Sequence, residues 1–194
     1  MSDDPAPSAS VPWTVGSITR ALLPVLLVLT TLELVGGLTL DAFEAKLLQY
    51  PTLLVLVPVT IGTAGNLGSV LSARLSTAFH LGVLSFDAGD ERLVGNAVTT
   101  VLLAVTVFPL VGAGAWAVTR ATGGTQLPPE TVVAVALASG VALAGLAVLV
   151  AVTATYAAYR LELDPDDVAI PVVTNVCDVL GVVVLFAVVH VAVP

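Results

Sequence analysis

Five long apolar segments, separated by short polar connections, dominate the 194 residues of this chain. The segments run over roughly 21–40, 51–73, 97–119, 131–159 and 168–193. A helix needs about 20 apolar residues to cross the hydrocarbon core of a bilayer, and lipid-facing backbone must satisfy its own hydrogen bonds. A transmembrane barrel would instead alternate apolar and polar residues in runs of about ten, and this chain has no such alternation. The pattern predicts an all-α integral membrane protein with five transmembrane helices.

The composition agrees with a lipid environment. Of all residues, 57% are hydrophobic and 10% are charged, and the mean hydropathy is +1.05, which is well above that of ordinary soluble domains. The net charge of −8 argues against a nucleic-acid partner, because clustered lysine and arginine residues are needed to meet a phosphate backbone. We therefore expect the lipid bilayer, and no nucleic acid, as a partner.

The distribution of charged residues suggests how the chain is organised. Residues 1–19 contain no lysine or arginine, which is wrong for a signal peptide, so we interpret them as a disordered tail before one transmembrane domain at 20–194. Cytoplasmic connections carry an excess of basic residues. With the N-terminus inside, four of the six basic residues lie on the cytoplasmic side, namely Arg20, Arg74, Arg92 and Arg160. We predict an N-in, C-out orientation.

Asp178 lies near the middle of the fifth apolar segment. An ionisable side chain at the centre of a membrane helix costs about 2.5 to 3.5 kcal/mol, so it calls for a specific partner or a wet cavity. Helical spacing places Thr174, Asn175 and Gly181 on the same face. Carboxylate, hydroxyl and amide oxygens suit a hard cation, so we interpret this face as a cation site. The alternative is a buried acid that only orders helix packing.

The second apolar segment has a face of small and polar residues. It includes Gly62, Gly65, Asn66 and Ser69, and Arg74 extends the polar line toward the predicted cytoplasmic end. Small residues let helix backbones approach closely, and the amide of Asn66 can join two helices. Glycine and proline can also free backbone carbonyls that line a hydrated pore. Both interpretations can hold for the same face.

Glu33 is the second acid within an apolar segment. It stands alone among leucines and threonines. Pairing with a neighbouring helix and contact with an ion are therefore equally good interpretations.

Two stretches resemble the MgtE magnesium channels and their eukaryotic solute-carrier relatives. The sequence PVTIGTAGNLGS at 58–69, followed by ARLSTA at 73–78 and HLG at 80–82, resembles the second transmembrane helix of that family. The fifth helix of the family is similar to the residues Asp164, Pro165, Pro171, Thr174, Asp178 and Gly181. The resemblance covers all five apolar segments in order.

The resemblance implies a homodimer in the plasma membrane that transports a divalent cation. It implies a central pore lined by the second and fifth helices of both chains, with the pore-lining residues Gly62, Gly65, Asn66, Ser69, Asn175 and Gly181. In that family the fifth-helix aspartate binds hydrated Mg²⁺, a role that falls on Asp178, with Thr174 contributing nearby. Mn²⁺, Co²⁺ and Ca²⁺ are the other ions to consider.

Regulation and activity class follow from the same comparison. Bacterial members usually carry a large cytoplasmic sensor with paired CBS modules, where this chain has only a short N-terminal stretch, so we expect control by loops, by the pore or by a separate regulatory protein. An ion-coupled exchanger and a non-transporting scaffold remain as alternatives. An intramembrane hydrolase would need a second acid beside Asp178, and Asp90 lies in a charged connection instead. We therefore predict that the chain is not an enzyme.

Overall fold

The computed structural model of the chain describes residues 14–87, 89–124 and 127–193. Six α-helices account for most of these residues, and the described ranges contain no strand. The helices are α1 (Val15–Ala42), α2 (Glu44–Gln49), α3 (Pro51–His80), α4 (Glu91–Ala121), α5 (Pro129–Arg160) and α6 (Pro165–Ala192). All except the short α2 are long and apolar enough to cross a membrane. The predicted all-α fold with five transmembrane helices is confirmed.

The long helices extend beyond the apolar segments that predict them. Helix α1 already begins at Val15, because Thr14 and Ser17 form a capping box in which Ser17 N–H donates to Thr14 Oγ1 over 3.3 Å. Residues 15–19 of the predicted disordered tail are therefore helical, and its residues 1–13 lie outside the described residues. Capping groups, rather than hydropathy, decide where a helix starts, so apolar length alone places these boundaries too far inward.

Helices α3, α5 and α6 form the centre of the bundle. Helix α5 packs against α3, α4 and α6, and α3 packs against all of the other helices except α1. Helix α1 contacts only α6 and the short α2 among the described elements, and it is far less buried than α5 and α6. Helix α1 therefore lies at the edge of the bundle, packed against one side of α6.

Glycines set the closest helix contacts. Gly140 of α5 lies against the ring of Phe108 in α4, and a Cβ at this glycine would overlap that ring. In the same interface Gly112 of α4 lies against Val133 of α5, and a Cβ added to Gly112 would lie 2.8 Å from the Val133 Cα. Lipid tails are as apolar as helix surfaces, so close packing rather than the hydrophobic effect holds membrane helices together. The α4–α5 pair depends on these two contacts.

The short α2 joins the end of α1 to the end of α6. The ring of Phe43, just before α2, stacks on Phe186 with centroids 4.0 Å apart. The Lys46 ammonium donates a hydrogen bond to the backbone carbonyl of Val193 over 3.3 Å. These contacts tie the C-terminal ends of α1 and α6 to each other.

We predict that Gly140→Ala destabilises the bundle by about 1–3 kcal/mol, the usual cost of overpacking a filled interface. The reason is that Phe108 occupies the space that the new methyl group needs. The free energy of unfolding in a mixed-detergent titration measures the effect. Gly145→Ala is the matched control on the same helix, because a Cβ there meets nothing within 4 Å. Equal stability of the two variants would contradict the packing described for α4 and α5.

Candidate functional site

Asp178 lies halfway along α6, on the face that packs against α3. A Cβ built on Gly65 of α3 would lie 3.9 Å from Asp178 Oδ1 and 3.8 Å from the Cα of Thr174. The Asp178 side chain is only partly buried. The small-residue face of α3 and the polar face of α6 thus meet at Gly65.

The antiparallel register of α3 and α6 decides which of their residues remain open. Ile61 fills the space beside Gly181, where a Cβ would lie 2.9 Å from Ile61 Cγ1, so this glycine is buried in the interface. Farther along α3, Gly68 receives the side chain of Val173. Gly62, in contrast, is exposed and has no neighbour within 4 Å of its Cβ position.

A cleft of about 380 Å³ opens between α1, α3 and α6, and it is partly open to the surface of the chain. Its wall contains two carboxylic acids, Glu33 and Asp178, three glycines, Gly36, Gly37 and Gly62, and six apolar residues. The two acids come from different helices, Glu33 from α1 and Asp178 from α6. The space is thus mostly apolar, with negative charge supplied from two helices.

Glu33 reaches the cleft because α1 packs against α6 through glycine. A Cβ at Gly36, one turn after Glu33, would lie 3.4 Å from both the Cα and the Cγ2 of Val179. The sequence offered Glu33 as a candidate polar residue within a span, but it did not indicate that Glu33 shares a cleft with Asp178. The Gly36–Gly37 pair, three and four residues after the acid, is the signal that could have indicated it.

The other polar residues on this part of α6 bond to the helix backbone. The hydroxyl of Thr174 donates to the carbonyls of Ile170 and Pro171 over 3.2 Å and 3.0 Å. The amide nitrogen of Asn175 also donates to the Pro171 carbonyl, over 3.0 Å. Asn175 Oδ1 is buried without a hydrogen-bond partner among the described residues. Both side chains keep oxygen lone pairs that can accept a hydrogen bond from a water molecule.

The remaining predicted site residues lie farther along α3, outside the cleft lining. The Ser69 hydroxyl donates to the carbonyls of Gly65 and Asn66 over 3.0 Å and 3.1 Å. Asn66 and Arg74 are exposed on the surface of the chain. The structure therefore brings together Gly62, Gly65 and Asp178, whereas Asn66 and Arg74 lie on an outer face and Ser69 is half-buried.

Asp90, the second acid that a hydrolase would need, is committed to a helix cap. It accepts hydrogen bonds from the backbone of Ser85, Arg92 and Leu93 and from the Ser85 hydroxyl. These hydrogen bonds lower the pKa of Asp90 from 3.8 to about 2, and the bond from the Ser85 N–H has the largest effect. Asp90 thus caps the start of α4, whereas Asp178 lies at mid-helix in α6.

A helical membrane protein with carboxylates in a cleft between its spans has the features of a cation-handling membrane protein. The chain matches the family model MgtE, described as a divalent cation transporter, over residues 57–188. The match extends from α3 to α6, includes Asp178 and covers more than half of the chain. The chain belongs to the MgtE family, a family of divalent cation transporters rather than of enzymes. The resemblance to MgtE is confirmed.

We predict that water reaches the cleft, because charged side chains in a bilayer are found in wet cavities. In a Cys177→Ala background, which removes the single cysteine of the sequence, Gly62→Cys should react with a charged, membrane-impermeant thiol reagent, since apolar surroundings disfavour the reactive thiolate and a hydrated cleft does not. The modification rate in liposomes measures this access.

Gly145→Cys is the control for this labelling, because Gly145 is exposed on α5 and lies outside the cleft. It should react far more slowly from within lipid. Similar rates at the two positions would contradict a hydrated cleft.

Proposed function

We propose that the chain conducts a hydrated divalent cation of the Mg²⁺ class across the plasma membrane, with Asp178 as the ion-binding carboxylate. The observation that carries this proposal is the position of Asp178, at mid-helix, beside Gly65 and open to the cleft. An acid in such a place is costly without a partner. A cation that the family transports is the natural partner.

The chemistry of Mg²⁺ fits a carboxylate that holds the ion through water. Mg²⁺ is octahedral and gives up its waters reluctantly, so it is usually bound through one or two carboxylates while it keeps several waters. Six waters occupy about 180 Å³ at about 30 Å³ each, and the cleft measures about 380 Å³. We propose that the hydroxyl of Thr174, one turn away on α6 and outside the lining of the cleft, accepts a hydrogen bond from one of these waters.

We propose a homodimer in which a two-fold axis brings two Asp178 carboxylates to one pore. The support is the partly open cleft together with the exposed face of α3 that carries Gly62 and Asn66. Most soluble homo-oligomers have closed symmetry, with two-fold dimers by far the commonest, and an isologous contact would repeat this face in both chains. The N-in orientation stays a prediction of the basic residues.

The membrane potential suffices to drive uptake. A divalent ion that crosses 100 mV gains about 4.6 kcal/mol, from about 2.3 kcal/mol per charge. A channel therefore needs no coupling ion. An ion-coupled exchanger would behave differently. At zero membrane potential, its cation flux would depend on a gradient of Na⁺ or H⁺.

We predict that Asp178→Asn lowers Mg²⁺ flux by about tenfold or more, the scale found when metal-site partners are removed. The amide keeps the size of the side chain but removes the charge. Uptake into proteoliposomes with a trapped Mg²⁺ indicator and a potassium diffusion potential measures the flux.

Glu130→Gln is the control variant, since it removes the same charge at the exposed start of α5. It should transport like the unmodified chain. Normal flux with Asp178→Asn would refute the proposed ion site, and absence of flux from the unmodified chain would favour a scaffold.

A further inference from the structure

Glu33 is the one cleft acid that the proposed pore of α3 and α6 does not use. It is contributed by α1, which contacts only α6 and α2 among the described elements. Its position follows from Gly36, which packs against Val179, the residue after Asp178. Packing between α1 and α6 therefore brings both acids to the lining of the same cleft, where Glu33 is exposed and Asp178 is half-buried.

Among the described residues, which include every lysine and arginine of the chain, neither acid lies within ion-pair distance of a basic side chain. The contact of that kind in these ranges joins His80 to Asp164 over 3.9 Å. Two like charges that line one cleft repel each other. A bound proton would neutralise one of the two charges, whereas one divalent cation would neutralise both.

We infer that Glu33 is a second cation-binding carboxylate and sets the preference of the site for divalent over monovalent ions. This inference rests on the proposed function, and it deepens it by adding α1 to the ion pathway. In each chain an ion that reaches Asp178 also meets Glu33 through its water shell, because both acids line the same cleft. Glu33 thus adds negative charge to that of the Asp178 pair, and a site with more negative charge discriminates better against Na⁺ or K⁺.

The test measures Mn²⁺ binding to the full chain in lipid nanodiscs, using the paramagnetic resonance signal of free Mn²⁺. Glu33→Gln should weaken Mn²⁺ binding by about 10- to 100-fold, and it should make Mn²⁺ uptake more sensitive to inhibition by Na⁺. Glu33→Asp should lose less affinity, because it keeps the charge. Glu44→Gln, which removes a charge from exposed α2, should bind like the unmodified chain.

A second pair of variants tests the cleft without altering either acid. Gly37 lines the cleft, and a Cβ at this position meets nothing within 4 Å, so Gly37→Val adds bulk to the cleft wall. It should weaken Mn²⁺ binding by taking space beside Glu33. Gly145→Val is its match on α5, where a Cβ also meets nothing within 4 Å, and should leave binding unchanged.

The outcomes separate this inference from the proposed function. If Glu33→Gln binds Mn²⁺ like Glu44→Gln while Asp178→Asn abolishes flux, Glu33 is not a ligand and the Asp178 site stands. If Asp178→Asn keeps normal flux, the proposed function itself fails. If Glu33→Gln does not fold, the Gly37→Val pair decides, and unchanged Mn²⁺ binding by Gly37→Val overturns the role of this cleft.

Discussion

Val173 of α6 enters the space beside Gly68 of α3, and Ile61 of α3 enters the space beside Gly181 of α6. This reciprocal packing holds the two helices in one register, because a Cβ at either glycine would push the backbones apart. In a bilayer, where apolar burial does not distinguish a neighbouring helix from lipid, such close contact is what binds helices together. The position of Asp178 beside Gly65 depends on this register.

The cleft lies between the buried centre of the bundle and its least buried long helix, α1. Helix α6 packs against α3 and α5 at the centre, whereas α1 contacts only α6 and α2. One acid comes from each of these two regions, and among the described residues neither acid forms an ion pair with a lysine or arginine. A ligand that binds only the folded chain stabilises it, so a cation between Glu33 and Asp178 would also hold α1 against α6. Ion binding and the packing of α1 are therefore linked in the proposed mechanism.

Much of the fold is predictable from the apolar pattern, since membrane-crossing helices need long apolar stretches and the chain has five of them. The boundaries are less predictable, because caps such as Thr14 and Asp90 start helices well outside the apolar stretches. Helix α2 is only six residues long. It is too short to cross a membrane, so the apolar pattern does not predict it. The family is also readable from motifs in the second and fifth segments, as the match over residues 57–188 agrees.

By itself the sequence determined that this is a five-span membrane protein of the MgtE family with an intramembrane acid at Asp178. Only the tertiary structure decided that Gly181 is covered by Ile61, that Gly62 stays open, and that Glu33 shares a cleft with Asp178. Helical periodicity tells which residues lie on one face, but not which neighbouring helix covers that face. Which helix covers a face depends on whether its side chains fit against the glycines of that face. This fit involves residues far apart in the sequence, so no local sequence pattern reveals it.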